Sequence, residues 1–283
     1  MDVLGLCTQR REMENISTKY NAILSIAGSD SGGCAGIQAD IKSISANGGF
    51  AATVITATTA QNTQGVTDIH GIPIAHIKAQ LDAVLSDIEF GAVKIGMLHS
   101  PEVIKVVQDT LQSYGIKKII LDPVMVATSG HKLITDEAIS TLEQFLPHVY
   151  LITPNIPEAE LLIGHNISLK NLEASAREIG ERFNVSVLLK GGHLEFEEVM
   201  TDILYLKDKN KVVTIHNKAI DTKNTHGTGC SLSSSIATYI GLGFDLEEAV
   251  IKSCKYLNKA IDAGKNKVLG KGNGPIHHFM FDR

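Results

Sequence analysis

The chain has 283 residues, 43% of them hydrophobic and 20% charged, a balance that suits a globular protein and excludes a disordered or fibrous one. Its net charge of −5 and pI near 6.1 argue against a sequence-independent grip on nucleic-acid phosphates, and no apolar run approaches the roughly 18 residues that a membrane span needs. The four cysteines, Cys7, Cys34, Cys230 and Cys254, lie far apart with no CxxC pair, which fits reduced thiols in a cytoplasm rather than a disulfide scaffold.

Residues 1–20 contain one short apolar patch at 3–7, followed rather than preceded by Arg10 and Arg11. That order does not suit a secretory signal. The segment is expected to be a disordered extension ahead of a single domain over 21–283. From residue 22 on, aliphatic runs at 22–27, 51–58, 92–98, 117–121, 149–153 and 185–190 read as strands covered on both faces of a parallel sheet. Helical patterns separate them. Ile77, Leu81, Val84, Leu85 and Ile88 fall on one stripe at helical spacing. Ser100-Pro101 reads as an N-cap with proline at the first helical position, and Gly115 as the end of that helix.

Further along, Leu172, Ala176, Ile179 and Phe183 repeat the helical period, as do Leu246, Val250, Leu257 and Ile261. Asp245, with Glu248 three residues on, resembles a capping box. Between these helices, 203–206 and 212–215 flank the charged turn 207–211, the spacing of an antiparallel hairpin. The alternation predicts an α/β fold: a doubly wound, mostly parallel sheet with helices on both faces, plus a small antiparallel hairpin. Ligands of such sheets bind beyond the carboxyl ends of the strands.

The loops that follow the strands hold the candidates. Gly28, Gly32, Gly33 and Gly36 crowd the first, either as a tight turn or to let the backbone approach a ligand. Gly28 and Gly33 have P-loop spacing, but Cys34 and Ala35 stand where Lys and Ser/Thr are required. No G-x-G-x-x-G occurs, which argues against a nucleotide-binding oxidoreductase. Gln61, in the loop 59–63, offers a planar donor and acceptor for an amino-substituted heteroaromatic ring, or else satisfies loop backbone. Asp122 and Glu158 each follow a strand, as hard oxygen ligands for Mg²⁺ or as helix caps.

The richest loop is Asn224-Thr225-His226-Gly227-Thr228-Gly229-Cys230, ahead of a helix of small residues over 231–239. Its glycines let successive amides converge as an anion nest, aided by the helix dipole, which would stabilise a transferring phosphoryl group. At a helix start the Cys230 thiol is expected to titrate below its usual value of about 8.5; the other reading is a small buried hydrophobe. The histidines form no H-E-x-x-H zinc motif, and no G-x-S-x-G elbow is present.

Read together, the loops form seven ordered blocks: AGSDSGG at 27–33 with GIQADIK at 36–42, AQNTQGV at 60–66, KIGML at 94–98, LDPVM at 121–125, TPNIPE at 153–158, KGGH at 190–193 and NTHGTGC at 224–230, followed by GPIHHF at 274–279. In these blocks the chain resembles the hydroxymethylpyrimidine/phosphomethylpyrimidine kinases of thiamine biosynthesis, members of the ribokinase superfamily, from about residue 22 to 279. The resemblance implies an ATP- and Mg²⁺-dependent kinase, a homodimer. It would phosphorylate 4-amino-5-hydroxymethyl-2-methylpyrimidine and then its monophosphate.

By the same resemblance, Gln61 hydrogen-bonds the aminopyrimidine, and Ala35 (through its backbone) and Asp40 border the substrate pocket. Asp122 and Glu158 lie near Mg²⁺ and the phosphates, with Lys190 and Thr225 toward the nucleotide. Gly227, Thr228, Gly229 and Cys230 form the catalytic anion hole, Cys230 standing where sugar kinases carry Asp and able, as a thiolate, to accept the alcohol proton. Two departures are Cys34, where the family usually has Gly, and residues 1–20, which match nothing in it. The nearest alternative is a pyridoxal/pyridoxine kinase of the same superfamily, but those relatives carry Met at the position of Gln61. A non-catalytic vitamin-binding protein on this fold would be expected to lose the nest or the acidic pair.

Overall fold

Strand β1 (Ala22–Asp30) is buried along nearly its whole length, because it lies inside a sheet with helices on both sides. A computed structural model describes residues 19–125, 135–192 and 199–280. The expected N-terminal extension falls outside the described residues except for Lys19 and Tyr20, and so does His193. After β1 come α1 (Gly36–Ala46), β2 (Phe50–Asn62), β3 (Gly65–Gly71), α2 (Ile74–Leu85), β4 (Phe90–Ile95), α3 (Pro101–Ser113), β5 (Ile119–Leu121) and α4 (Asp136–Phe145). They are followed by β6 (Leu151–Ile152), α5 (Ile156–Ile163), α6 (Leu172–Phe183), β7 (Ser186–Leu189), β8 (Val199–Leu206), β9 (Lys211–Lys218), α7 (Thr228–Gly241) and α8 (Leu246–Gly264).

The strands form one sheet in the order β3-β2-β1-β4-β5-β6-β7-β8-β9. From β2 to β7 neighbours run parallel, while β3, β8 and β9 pair antiparallel. Alternate side chains feed two cores. Leu24, Ile26, Val93, Ile95, Leu121 and Leu189 pack against α2 to α6, and Ile23, Ala92, Ile120 and Leu188 against α1, α7 and α8. Each fully buried aliphatic side chain contributes about 1.5–3 kcal/mol, so the doubly wound arrangement follows from strands apolar on both faces.

Several expected boundaries move. β2 runs on through Gln61 to Asn62 and turns into β3, a strand the periodicity does not reveal because all of its residues are exposed. β5 and β6 are shorter than the aliphatic runs containing them. Helix α4 is not among the expected elements, although Ala138, Leu142 and Phe145 are buried at helical spacing. The caps agree more closely. Ser100 Oγ accepts from Val103 N–H ahead of Pro101, and Asp245 accepts from Glu248 N–H at 2.9 Å. The reciprocal capping box is found instead at Asn155 and Glu158 of α5.

One polar contact ties the α1/α7 face to the sheet. Lys94 of β4 is fully buried and donates to both oxygens of Asp40 on α1, each at 2.9 Å. Ser25 of β1 and Ser234 of α7 add bonds to the same carboxylate at 2.6 and 2.7 Å. Four elements therefore meet on one charge pair directly beneath the start of α7. Among the described residues no helix is long and apolar enough to cross a membrane.

Candidate active site

The first loop is folded around a carboxylate. Asp30, at the end of β1, accepts Gly32 N–H on Oδ1 at 2.8 Å and the Cys34 and Ala35 N–H groups on Oδ2 at 2.9 and 2.8 Å. Ala35, the residue before α1, thus has its amide engaged within the chain, and its carbonyl accepts from Ala39 at 3.2 Å; only a spare carbonyl lone pair is left to meet a substrate. The expectation for Asp40 is corrected. It has no exposed surface, and its oxygens are taken by Lys94, Ser25 and Ser234, so it supports the pocket from below.

Gln61 stands near the tip of the β2–β3 hairpin, just past a register shift. Its backbone exchanges two 2.8 Å bonds with Ser31 Oγ, which fastens the hairpin to the first loop. Its side chain lies between Thr59 Oγ1, 3.1 Å from Oε1, and His226 Nε2, 3.0 Å from Nε2. His226 immediately precedes the glycine loop, so Gln61 and that loop lie side by side. Asp30, Cys34 and His226 bring possible ligand atoms within 4.8 Å of one another. The Asp30 carboxylate, however, already accepts from three loop amides, and the trio reads as loop scaffolding.

The glycine loop turns directly into α7. Gly227 is the N-cap of α7, with φ +83° and no side-chain cap. A Cβ there would lie 1.9 Å from Cys34 O, so only glycine lets the two loops touch. Ser231 N–H bonds back to Gly227 O at 2.9 Å and Thr228 N–H to Thr225 O at 3.3 Å. Among the described residues nothing engages the Gly229 and Cys230 amides. A Cβ on Gly229 would come within 3.1 Å of Asp122 Oδ2 and 3.5 Å of Lys190 Nζ, which puts the cup beside the acidic pair. Thr225 itself is exposed.

The titration expected of Cys230 is reversed. Burial pushes its thiol up to about 11; Lys94 opposes the rise, and Asp40 and Asp122 add to it. The partial charge of the helix start does not outweigh lost water and two nearby carboxylates.

Asp122 Oδ1 accepts from Thr153 Oγ1 and from Lys190 Nζ, both at 2.9 Å. Of the two parts foreseen for Glu158, the structure shows the helix cap. Its Oε2 accepts Asn155 N–H at 2.9 Å as a helix cap, and it faces the Asp122–Lys190 pair. Burial raises its carboxyl to about 7, with Lys190 lowering it and Asp122 raising it.

Three contributors were not singled out from the sequence. His226 holds Gln61. Lys94 holds Asp40, and its signal was a lone charge within an aliphatic strand. His278 is 4% exposed and sits 2.9 Å from Ser231 Oγ on α7, while Tyr256 Oη donates to its carbonyl at 3.1 Å. Burial, then Lys42 and His277, lower its imidazole to about 4.

A folded value below the unfolded one means that this group stabilises the protein above about pH 6.5, and that the contribution is lost as pH falls through about 4. The loss is expected to be on the order of 2–3 kcal/mol. Urea midpoints between pH 7 and pH 4 should therefore fall more steeply for the parent than for His278→Gln; equal slopes would remove His278 from the account.

The chain is similar to known proteins over most of its length. Residues 30–277 match the family model of phosphomethylpyrimidine kinase. The chain is 46% identical over 259 residues to a hydroxymethylpyrimidine/phosphomethylpyrimidine kinase of Rhizobium meliloti, covering 90% of this chain and 96% of that protein. It is also 46% identical to a thiamine biosynthesis bifunctional protein of Geobacter sulfurreducens, of which it spans only 52%. Among solved structures, phosphomethylpyrimidine kinase from Clostridium difficile superposes with a TM-score of 0.75 at 42% identity, covering 85% of this chain and 99% of that one. An ADP complex of Bacillus subtilis pyridoxal kinase gives 0.84 at 28% identity, covering 92% and 98%.

Proposed function

Because the chain belongs to the phosphomethylpyrimidine kinase family, we propose that it transfers the γ-phosphoryl group of ATP to the 5-hydroxymethyl oxygen of 4-amino-5-hydroxymethyl-2-methylpyrimidine. A second transfer, onto the monophosphate, completes its step in thiamine biosynthesis. The observation that carries the reading is the meeting of the hairpin with the glycine loop, where Gln61 reaches His226 at 3.0 Å while the following residues leave the Gly229 and Cys230 amides open. The described kinase domain, from residue 21 on, would act as a cytoplasmic homodimer.

In each transfer the acceptor oxygen bonds to the γ-phosphorus as the bond to the bridging oxygen breaks and ADP leaves; in the first, the hydroxyl proton passes to water. The transition state is loose, so positioning and charge neutralisation supply most of the catalysis. The open amides of Gly229 and Cys230 steady the charge on the migrating group, Gln61 orients the acceptor ring, and Lys190 and Thr225 face the nucleotide. With its thiol at about 11, Cys230 is protonated at neutral pH. Its part is to hold the hydroxymethyl oxygen in line rather than to remove its proton at the outset.

Mg²⁺ fits the donor set. Two carboxylates, Asp122 and Glu158, confront one lysine, and Glu158, raised to about 7 first by burial, stands where a divalent cation would favour its charged form. Bound by these two residues, directly or through water, it would neutralise phosphate oxygens.

The test is incubation of the pure protein with Mg·ATP and either the pyrimidine alcohol or pyridoxine, with products identified by mass. One and then two phosphates on the pyrimidine support the proposal. Phosphate on pyridoxine alone would mean a pyridoxine kinase, and none on either a binding protein. In the same assay Cys230→Ala should lower kcat about a hundredfold with acceptor KM nearly unmoved; a kcat within twofold of the parent would dismiss the thiol.

A further inference from the structure

The Gln61 amide is bracketed by two groups that can each donate or accept. On one side His226 Nε2 lies 3.0 Å from Nε2; on the other, Thr59 Oγ1 lies 3.1 Å from Oε1. An amide nitrogen only donates, so in this arrangement the imidazole accepts at Nε2 and carries its proton on Nδ1. The reverse is chemically consistent as well. Oε1 would then face an Nε2–H, and the amide nitrogen would face Thr59 Oγ1, whose proton goes to Ser29 O at 3.1 Å. The His226 tautomer and the Gln61 orientation are therefore one variable.

The rest of the site holds His226 where it can set that variable. Its backbone N–H bonds to Gly274 O at 3.1 Å, and Asp30 Oδ2 lies 3.7 Å from its Nε2. We infer that His226 is a specificity-determining positioning residue, which fixes the end of the Gln61 amide at which the donor and the acceptor stand. The inference rests on the reading of the chain as a kinase of an aminopyrimidine alcohol.

After its internal bonds, Gln61 has one N–H and one lone pair to offer. A ring nitrogen beside an amino group matches both, in one orientation only. Reversing the amide turns the ring over along that edge and moves its hydroxymethyl group to the other end of the edge, out of line with the glycine cup. A ring lacking the amino group makes no such paired contact and is indifferent to the reversal.

The experiment compares kcat/KM for 4-amino-5-hydroxymethyl-2-methylpyrimidine with that for its analogue lacking the 4-amino group, in the parent, His226→Leu, Gln61→Ala and the double variant. His226→Leu is expected to lower the ratio of the two values about tenfold, and to leave it unmoved when Gln61 is already alanine. His226→Asn, which keeps a polar group at the position, should recover part of the loss. An equal loss on both acceptors, or an effect as large without Gln61 as with it, overturns the inference and leaves His226 as loop packing. The ring ¹⁵N shifts of His226 report its tautomer without turnover. They should move in Gln61→Ala, and unmoved shifts would also overturn the coupling. A parent that phosphorylates neither ring would instead defeat the proposed activity, with the ¹⁵N result still deciding the coupling.

Discussion

Lys94→Met is expected to destabilise the protein by about 3–5 kcal/mol, the usual cost of removing one partner of a buried ion pair. For a chain of this size that corresponds to a fall in Tm of roughly 10 °C or more. Burial alone would favour a neutral lysine, but Asp40, first among the opposing influences, raises the ammonium above its ordinary value and keeps it charged. Removing the cation leaves Asp40 fully buried with only Ser25 and Ser234 as donors. The damage is an uncompensated anion under α7 rather than a cavity. The double variant Lys94→Met/Asp40→Asn should therefore recover part of the stability in urea titrations. A single variant within about 1 kcal/mol of the parent would show that the pair carries no such weight.

Gly227→Ala should be the most damaging small change to activity. The position has φ +83°, which strains an L side chain, and the added methyl would overlap Cys34 O at 1.9 Å. Relief requires the glycine loop and the first loop to separate by more than an ångström. A displacement of that order typically costs about a hundredfold in catalysis, so kcat/KM is expected to fall at least that far, with a smaller stability loss of about 1–3 kcal/mol. Steady-state kinetics beside thermal melts would separate the two effects. Retention of a tenth of parental kcat/KM would mean that the cup tolerates movement, and that these amides do not grip the migrating group.

Much of this was legible in the chain itself. β1, β4 and β7 are buried on both faces, and burial on two faces leaves uninterrupted aliphatic runs that a reader can see. β3 was hidden for the complementary reason: an exposed edge strand has no apolar face to alternate. The same blind spot turned Gln61, a strand residue, into an expected loop residue.

At the site, residue types and glycine spacing singled out the glycine loop, Asp122 with Glu158, and Gln61. They could not indicate who touches whom. Asp40 is polar and close in sequence to the pocket loop, yet only the packing of α1 on β4 reveals that it faces Lys94. The Cys230 titration failed for a related reason. A helix start is visible in sequence, but the desolvation and the carboxylates that outweigh it arrive from three other segments.

The last turn of chain has a bearing on how the enzyme is made. Gly274 receives the His226 amide, Gly272 N–H reaches Thr63 Oγ1 at 3.1 Å, and His278 stands behind Ser231. A polypeptide still emerging from the ribosome thus has its glycine cup in hand but not the fastening that joins it to the acceptor hairpin. Contacts so distant in sequence close late in folding. Molecules clipped ahead of residue 272 should be silent toward ATP, so that competence depends on this short segment.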